Sequence, residues 1–325
     1  MSRKPPKIVV IGGGSGTSVV LSGLKEQEAE LTAVVSVADS GGSTGRLRDE
    51  YGFQPVGDLR QSLASLASEG SRDDLKQLLL YRFDHGTFEG HNIGNLILTA
   101  LQDMTGSTAG ALETAHRILH IDGQILPVTE RNVQLVVEYE DGEFRLGEHC
   151  LDEAASTSKK IRRVLLSPRG KMYVAARQAI SEADLIVIGP GDYWGSIMAA
   201  LAVSDVRGTF RQARGKIAYV MNLMTRASQT NGLTAADHLR GLERRLGRSI
   251  DHVIVNNAPI PTKILKAYAQ QHEYPVEDDL GTAPTICRAP IINTVPYRQS
   301  QADKVTRSLL RHDQRKLAQL LYSLL

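Results

Sequence analysis

The chain has 325 residues, with 38 lysines and arginines against 36 aspartates and glutamates, so its formal charge is only +2. That near-balance excludes a polybasic nucleic-acid binder held mainly by counterion release. A content of 42% hydrophobic and 23% charged residues excludes a disordered chain.

Lys7–Ile11 is a β-branched run that stops at glycines, Thr17–Leu24 carries helical spacing, and Leu31–Ala38 is a second apolar run. Strand, glycines, helix, strand opens a βαβ unit and implies a parallel sheet covered on both faces. Helical spacing then dominates over Asp58–Ala67, Asp73–Arg82, Ile93–Met104 and Ala109–Leu119, with Ser107 or Thr108 as the cap of the last. Val133–Glu140 and Glu143–Glu148 flank Asp141-Gly142, the strongest short-range hairpin signal. Parallel texture returns with strands at Asp184–Gly189, Lys216–Leu223 and His252–Asn256. Helices are expected at Trp194–Val203, Leu233–Leu246 (capped by Thr234), Lys263–Gln271 and Arg311–Leu325. The expected fold class is α/β: a modified Rossmann-like, mostly parallel sheet with helices on both faces. It reads as a single domain over 1–325, with an inserted hairpin-containing subdomain at about 125–170.

Cys150 and Cys287 make neither a disulfide framework nor a Cys-x-x-Cys motif. The stretch Met1–Lys7 lacks the apolar core of a signal peptide. The most apolar long window, Ala183–Val203, holds Asp184, Asp192 and a Gly-Pro-Gly break. The expectation is a cytoplasmic protein without membrane insertion.

Chemistry concentrates where strands end. Gly12, Gly13, Gly14, Ser15, Gly16 and Thr17 join the first strand to the first helix. Glycines let a backbone approach a diphosphate closely, and the helix N-terminus attracts its charge. The dinucleotide fingerprint fails in this register because Thr17 occupies its third glycine position, and no Walker lysine follows. The plain alternative is a tight turn with close packing. At the end of the second strand, Asp39 suits a ribose hydroxyl, a proton or a cation, or merely caps a helix. Ser40, Gly41, Gly42, Ser43 and Thr44 offer phosphate donors, and Arg46 an anion grip. Asp58 and Arg60 begin a helix, where Asp58 serves as cap or as ligand. His91, Asn92 and Asn95 open another helix as donors or as caps. Gly189, Gly191 and Asp192 repeat the glycine-turn logic, while Asn222, Thr225 and Asn257 end later strands and suit a base or ribose. Two such clusters at one sheet edge suggest halves of one cleft. His116 and His120 lack a carboxylate motif, so no metal site is assigned. Arg162-Arg163 reads as a solvated face.

The ordered set Gly12–Thr17, Val37–Arg48, Pro55–Arg60, Gly90–Asn95, Ile188–Asp192, Asn222–Thr225, Ala236–His238 and Val255–Asn257 resembles the YvcK-type gluconeogenesis factors, within the 2-phospho-L-lactate transferase (CofD-like) superfamily. The resemblance spans about Lys7 to Pro296. It implies a modified Rossmann-like domain, often dimeric. It also implies a UDP-sugar ligand and a regulatory role in cell shape and cell-wall synthesis during gluconeogenic growth. The transferase branch implies instead transfer of a phospholactyl group from a guanosine diphosphate donor with a divalent metal such as Mg2+, for which Asp39 and Asp58 are the candidate catalytic ligands. The stretch Ser40–Arg46 looks like the YvcK type, where the transferase branch is more acidic. One departure stands out: Asp192 places a negative charge where the family usually has a serine hydroxyl. An NAD-dependent oxidoreductase is disfavoured by the failed fingerprint register.

Overall fold

A computed structural model describes residues 4–39, 42–67, 73–153, 159–295 and 308–325. Strand β1 (Lys7–Gly12) leads through a glycine turn into α1 (Gly14–Leu24), and β2 (Glu30–Val35) follows. Five helices come next: α2 (Gly42–Tyr51), α3 (Gly57–Leu66), α4 (Asp73–Leu80), α5 (Ile93–Thr105) and α6 (Thr108–Leu119). Strand β3 (Gln124–Pro127) precedes β4 (Gln134–Tyr139), β5 (Phe144–Leu146), the short α7 (Cys150–Glu153) and β6 (Ile161–Ser167). Helix α8 (Val174–Glu182), β7 (Leu185–Ile188) and a π-helix (Tyr193–Met198) lead to α9 (Val206–Gln212) and β8 (Lys216–Val220). The chain closes with α10 (Ala235–Leu246), β9 (His252–Asn256), α11 (Thr262–Ala269), β10 (Ile286–Ala289), β11 (Ile292–Asn293), β12 (Arg311–His312) and α12 (Gln314–Tyr322).

Seven parallel strands pair in the order β10-β9-β8-β7-β1-β2-β3. From β1 the chain builds outward through β2 and β3. It then crosses back to β7 on the other side of β1 and builds outward again. The point where the direction reverses, between β1 and β7, is where open α/β sheets hold ligands, beyond the carboxyl ends of the strands. All four residues of β7 are fully buried, as are Ile8 and Val10 in β1, the signature of strands covered on both faces. On one face α1 packs between α3 and α12; α8, α9 and α10 form a layer of their own.

The hairpin expected at Asp141-Gly142 forms, and β6 completes a separate three-stranded antiparallel sheet in the order β5-β4-β6. Arg162 and Arg163, read as a solvated face, reach back from β6 to Glu138, a carboxylate with 3% exposure (3.1 and 2.5 Å). Pairing satisfies a carboxylate that burial alone would penalise. Gln124–Pro127, inside the interval expected for the insertion, instead forms the edge strand β3 beside β2.

Several expected boundaries differ: the helix expected over Trp194–Val203 is the π-helix Tyr193–Met198, the strand expected over Lys216–Leu223 ends at Val220, and two further shifts have reasons visible in the contacts. The Ser43–Arg46 stretch, read as a turn, lies in the first turns of α2. Leu47 buries its side chain there, and Ser43 and Thr44 sink to 3% and 5% exposure. The expected helix Arg311–Leu325 begins only at Gln314, because Asp313 caps it by accepting from the Arg315 and Lys316 amides, and Arg311-His312 pairs with β11 instead.

Candidate functional site

The glycine turn after β1 places Gly14 in the left-handed region (φ +64°), which favours glycine. Helix α1 starts there with Gly13 as N-cap and no side-chain cap bond. A glycine N-cap brings no side chain of its own to the first-turn amides, and Asp58 is the carboxylate that stands beside them. A Cβ at Gly16 would fall inside the carbonyl of Pro190, and one at Gly191 would lie 3.5 Å from the carbonyl oxygen of Gly13. The two glycine turns thus meet, one from β1 and one from β7, at the reversal point of the sheet. The N-termini of α3 (N-cap Val56) and of the π-helix (N-cap Asp192) also lack side-chain caps. All three open onto one cleft of about 640 Å³, within the usual size of a small-molecule site.

Most expected site residues converge on it. Gly13, Gly14, Ser15 and Gly16 line the cleft, as do Asp39, Ser43, Thr44, Asp58, Arg60 and Asn95, and from the second half Gly191, Asp192, Asn222 and Thr225. Asp39 lies beside the start of α3 and Asp58 beside the α1 turn: a Cβ at Gly57 would meet an Asp39 oxygen at 2.8 Å, and one at Gly13 would overlap Asp58. Asp58 lies in the first turn of α3 and is not its N-cap. A buried network holds the α2 end. The amide of Asn95 donates to Ser43 Oγ (3.3 Å) and Thr44 Oγ1 (3.2 Å), and its oxygen accepts from Arg60 Nε (2.8 Å).

Other candidates play supporting parts or lie elsewhere. Gly12 and Thr17 sit beneath the turn; Thr17 is fully buried and its hydroxyl donates to the Gly13 carbonyl (3.3 Å). Asn92 caps α5 by accepting from the Asn95 amide (3.2 Å). His91 stands 3.4 Å from Ser43 Oγ, with burial and then the Arg46 charge holding its pKa below the usual value. Arg46 is exposed and donates to the Glu89 carbonyl (3.4 Å), and is not part of the cleft lining. Gly189, at φ +73°, supports the second turn from behind. Asn257 is exposed and borders an adjoining hollow that shares Asn222. Ser40 and Gly41 lie outside the described residues.

Sequence reasoning missed several lining groups. Ser196 lies one turn beyond Asp192, and Arg82 precedes the 83–91 loop. Arg226 stands 3.8 Å from Asp192 and 3.9 Å from Glu273, so the charge that departs from the family pattern faces a guanidinium. Glu148 comes from the β5–α7 junction, and Arg311 and His312 from β12. No local motif announces these, because the sheet edge assembles them from remote segments.

His312 is 6% exposed, and burial pushes its pKa down to about 4, only partly offset by a hydrogen bond with the Met221 backbone. The folded state therefore resists protonation that the unfolded state accepts at about 6.5. Stability is complete above pH 6.5 and falls as pH drops toward 4, by a total of about 3 kcal/mol. Urea midpoints at pH 7.5 and 4.5 should differ by more in the wild type than in His312→Asn, which removes the titration.

The lining carries acids as well as arginines, so it does not suit a bare polyanion. Among the described residues no group of three His, Cys, Asp or Glu side chains is placed to hold a metal ion alone. Asp39 and Asp58 suit Mg2+ only where a ligand's phosphates complete the octahedron.

Three comparisons bear on this geometry. A family model described as 2-phospho-L-lactate transferase CofD matches residues 8–295. The gluconeogenesis factor of Bacillus subtilis is 37% identical over 329 residues, covering 100% of this chain and 99% of the relative. That of Halalkalibacterium halodurans is 38% identical over 276 residues, 84% of each. The crystal structure of a UPF0052 family member from Bacillus halodurans superposes with a TM-score of 0.87 at 33% identity, covering 99% of this chain and 100% of that one. With the β1–β7 cleft in place and the match running through both of its halves, the chain belongs to the 2-phospho-L-lactate transferase CofD family.

Proposed function

We propose that the cleft binds a nucleoside diphosphate sugar, specifically a UDP-sugar, and that the protein acts as a ligand-responsive regulator. The observation that carries this reading is the meeting of three helix N-termini without side-chain caps, α1, α3 and the π-helix, around one cavity. Amides and helix dipoles there favour a diphosphate. Carboxylates at the same place, Asp39 and Asp58, accept hydroxyls of a ribose or hexose. Asn222 adds a buried amide oxygen with no hydrogen-bond partner, whose nitrogen is spent on the Gly191 carbonyl (2.7 Å). The relatives' names support a role in gluconeogenic growth. Control of cell shape and wall synthesis in the cytoplasm, as a homodimer, completes the proposal. No helix among the described residues is long and apolar enough to cross a membrane.

A second reading is a metal-dependent phosphotransferase. It is favoured by the family match and by the pair of carboxylates that line the same cleft. In that case Asp39 and Asp58 would hold Mg2+, which supplies charge neutralisation on the transferring phosphoryl group. The chain's own part would be to position an acceptor hydroxyl in line.

Thermal shift separates the two. A ligand at 100 times its dissociation constant stabilises by about 2.7 kcal/mol. UDP-N-acetylglucosamine should raise the midpoint with or without Mg2+, while GDP and NAD leave it near the apo value. A shift that appears only with GDP and Mg2+ together would transfer the assignment to the phosphotransferase.

A further inference from the structure

Helices α9 and α10 are adjacent in the layer on one side of the sheet, and each runs into the next strand at the sheet's amino edge. Their C-terminal ends therefore lie at the opposite end of the molecule from the cleft. Arginines gather there: Arg211 at the end of α9, Arg214 after it, Arg244 and Arg245 at the end of α10, Arg248 after it, and Arg207, which reaches the α10 end from the first turn of the short α9. The bonds they make interlock the two helix ends. Arg207 Nη2 donates to the Arg244 carbonyl (2.6 Å), Arg245 Nε to the Leu201 carbonyl (2.6 Å), and Arg248 to those of Ala213 and Gly215 (2.6 and 3.0 Å). A carbonyl orients a guanidinium without cancelling its charge, and leaves other donors of the fork outward.

Compensation is sparse. Arg248 pairs with Asp251 at 3.3 Å. Among the described residues no carboxylate lies within 4.0 Å of Arg207, Arg211, Arg214, Arg244 or Arg245. Burial first, and then the charges of Arg207 and Arg163, hold the Arg245 guanidinium below its ordinary pKa. Basic residues in a last turn do stabilise the helix dipole. That accounts for Arg211, Arg244 and Arg245, but not for Arg207 and Arg214 standing among them. On a chain whose total charge is +2, so local an excess is a face rather than a general property.

We propose that the arginine-rich end of α9 and α10 docks on the anionic phospholipid headgroups of a membrane surface, without insertion, leaving the cleft open to solution on the far side. Among the described residues no exposed large apolar side chain belongs to α9 or α10. The face thus has no wedge for a bilayer interior and no aromatic platform for single-stranded nucleic acid. What it has is a two-helix surface of exposed guanidiniums, Arg207, Arg211, Arg214 and Arg244, beside the held Arg245 and Arg248, suited to many phosphodiesters presented in a plane.

The test is co-sedimentation of the full chain with vesicles of phosphatidylcholine alone and of phosphatidylcholine mixed with phosphatidylglycerol. Binding is expected only to the mixed vesicles and is lost as salt rises from about 0.1 to about 0.5 M. The triple variant R211E/R214E/R244E alters exposed side chains that make no carboxylate pair. It should bind the mixed vesicles at least about tenfold less while keeping the wild-type melting midpoint, which shows that it is folded. Equal binding to both vesicle types, indifference to salt, or an unchanged triple variant overturns the proposal. So does a short RNA duplex that binds at a salt concentration where mixed vesicles do not, since the face then serves nucleic acid. None of these outcomes depends on what occupies the cleft, so this proposal and the UDP-sugar reading fail separately.

Discussion

Gly16→Ala should lower stability by about 1–3 kcal/mol and abolish the thermal response to UDP-N-acetylglucosamine. The sign is informative, because an alanine in a helix interior ordinarily stabilises by up to about 1 kcal/mol relative to glycine. Here the new Cβ would overlap the backbone carbonyl of Pro190, and a backbone cannot rotate away as a side chain can. Helix α1 has little room to retreat. A Cβ at Gly23, two turns on along the same face, would overlap the Gln314 carbonyl, and α3 packs on α1 as well as α12, so neither end of the helix can shift freely. The strain is expected to open the seam between the two glycine turns, which is the seam that assembles the cleft. Gly208→Ala is the control: it is helical, with no atom within 4 Å of the added carbon, and should be neutral or slightly stabilising. A Gly16→Ala protein with an unchanged melting midpoint and an intact ligand response would mean that the two turns do not touch in solution.

Much of this arrangement is legible locally. Lys7–Ile11 and Asp184–Gly189 announce buried parallel strands because apolar runs end at glycines. Thr234 announces the start of α10 because its hydroxyl and Asp237 close a capping box. Strand β6 is not legible, since Arg162-Arg163 interrupts its apolar alternation; their justification is Glu138 on a neighbouring strand, which no window of sequence contains. Edge strand β3 is too short to signal itself against the proline that ends it.

The site divides in the same way. Gly13–Gly16 and Asp39 are readable because they directly follow apolar strand runs, and Asp58 because it opens a helix. Side-chain direction is not readable. Thr17 belongs to the same motif but turns inward to the Gly13 carbonyl, and Arg46, exposed on α2, donates to the Glu89 carbonyl outside the cleft lining. Arg226, Glu148 and His312 arrive through topology, from segments whose local sequence carries no ligand motif.

The two carboxylates should respond to neutralisation in opposite ways if the ligand binds without metal. Asp39 sits at the end of β2 beside Gly57 and Thr44, where it suits a sugar or ribose hydroxyl. Asp39→Asn exchanges a charge-assisted hydrogen bond for a neutral one, a loss of about 1–1.5 kcal/mol, or about five- to tenfold in affinity for UDP-N-acetylglucosamine. Asp58 stands against Gly13, at the amides a phosphate would use. Two like charges about 4 Å apart repel by about 1 kcal/mol in bulk water and about 4 at an effective dielectric constant of 20. Asp58→Asn should therefore tighten metal-free binding by about fivefold or more, because the anion no longer competes with a carboxylate for the same helix terminus. In a phosphotransferase the sign reverses: both aspartates hold Mg2+, and either substitution collapses a binding event that already requires the metal. Calorimetric titration of UDP-N-acetylglucosamine and of GDP into both variants, with and without Mg2+, reads the sign directly. Weakening at Asp39 with tightening at Asp58 supports the sugar-nucleotide regulator. Metal-dependent loss at both makes the protein a transferase, and no change at either removes the pair from the site.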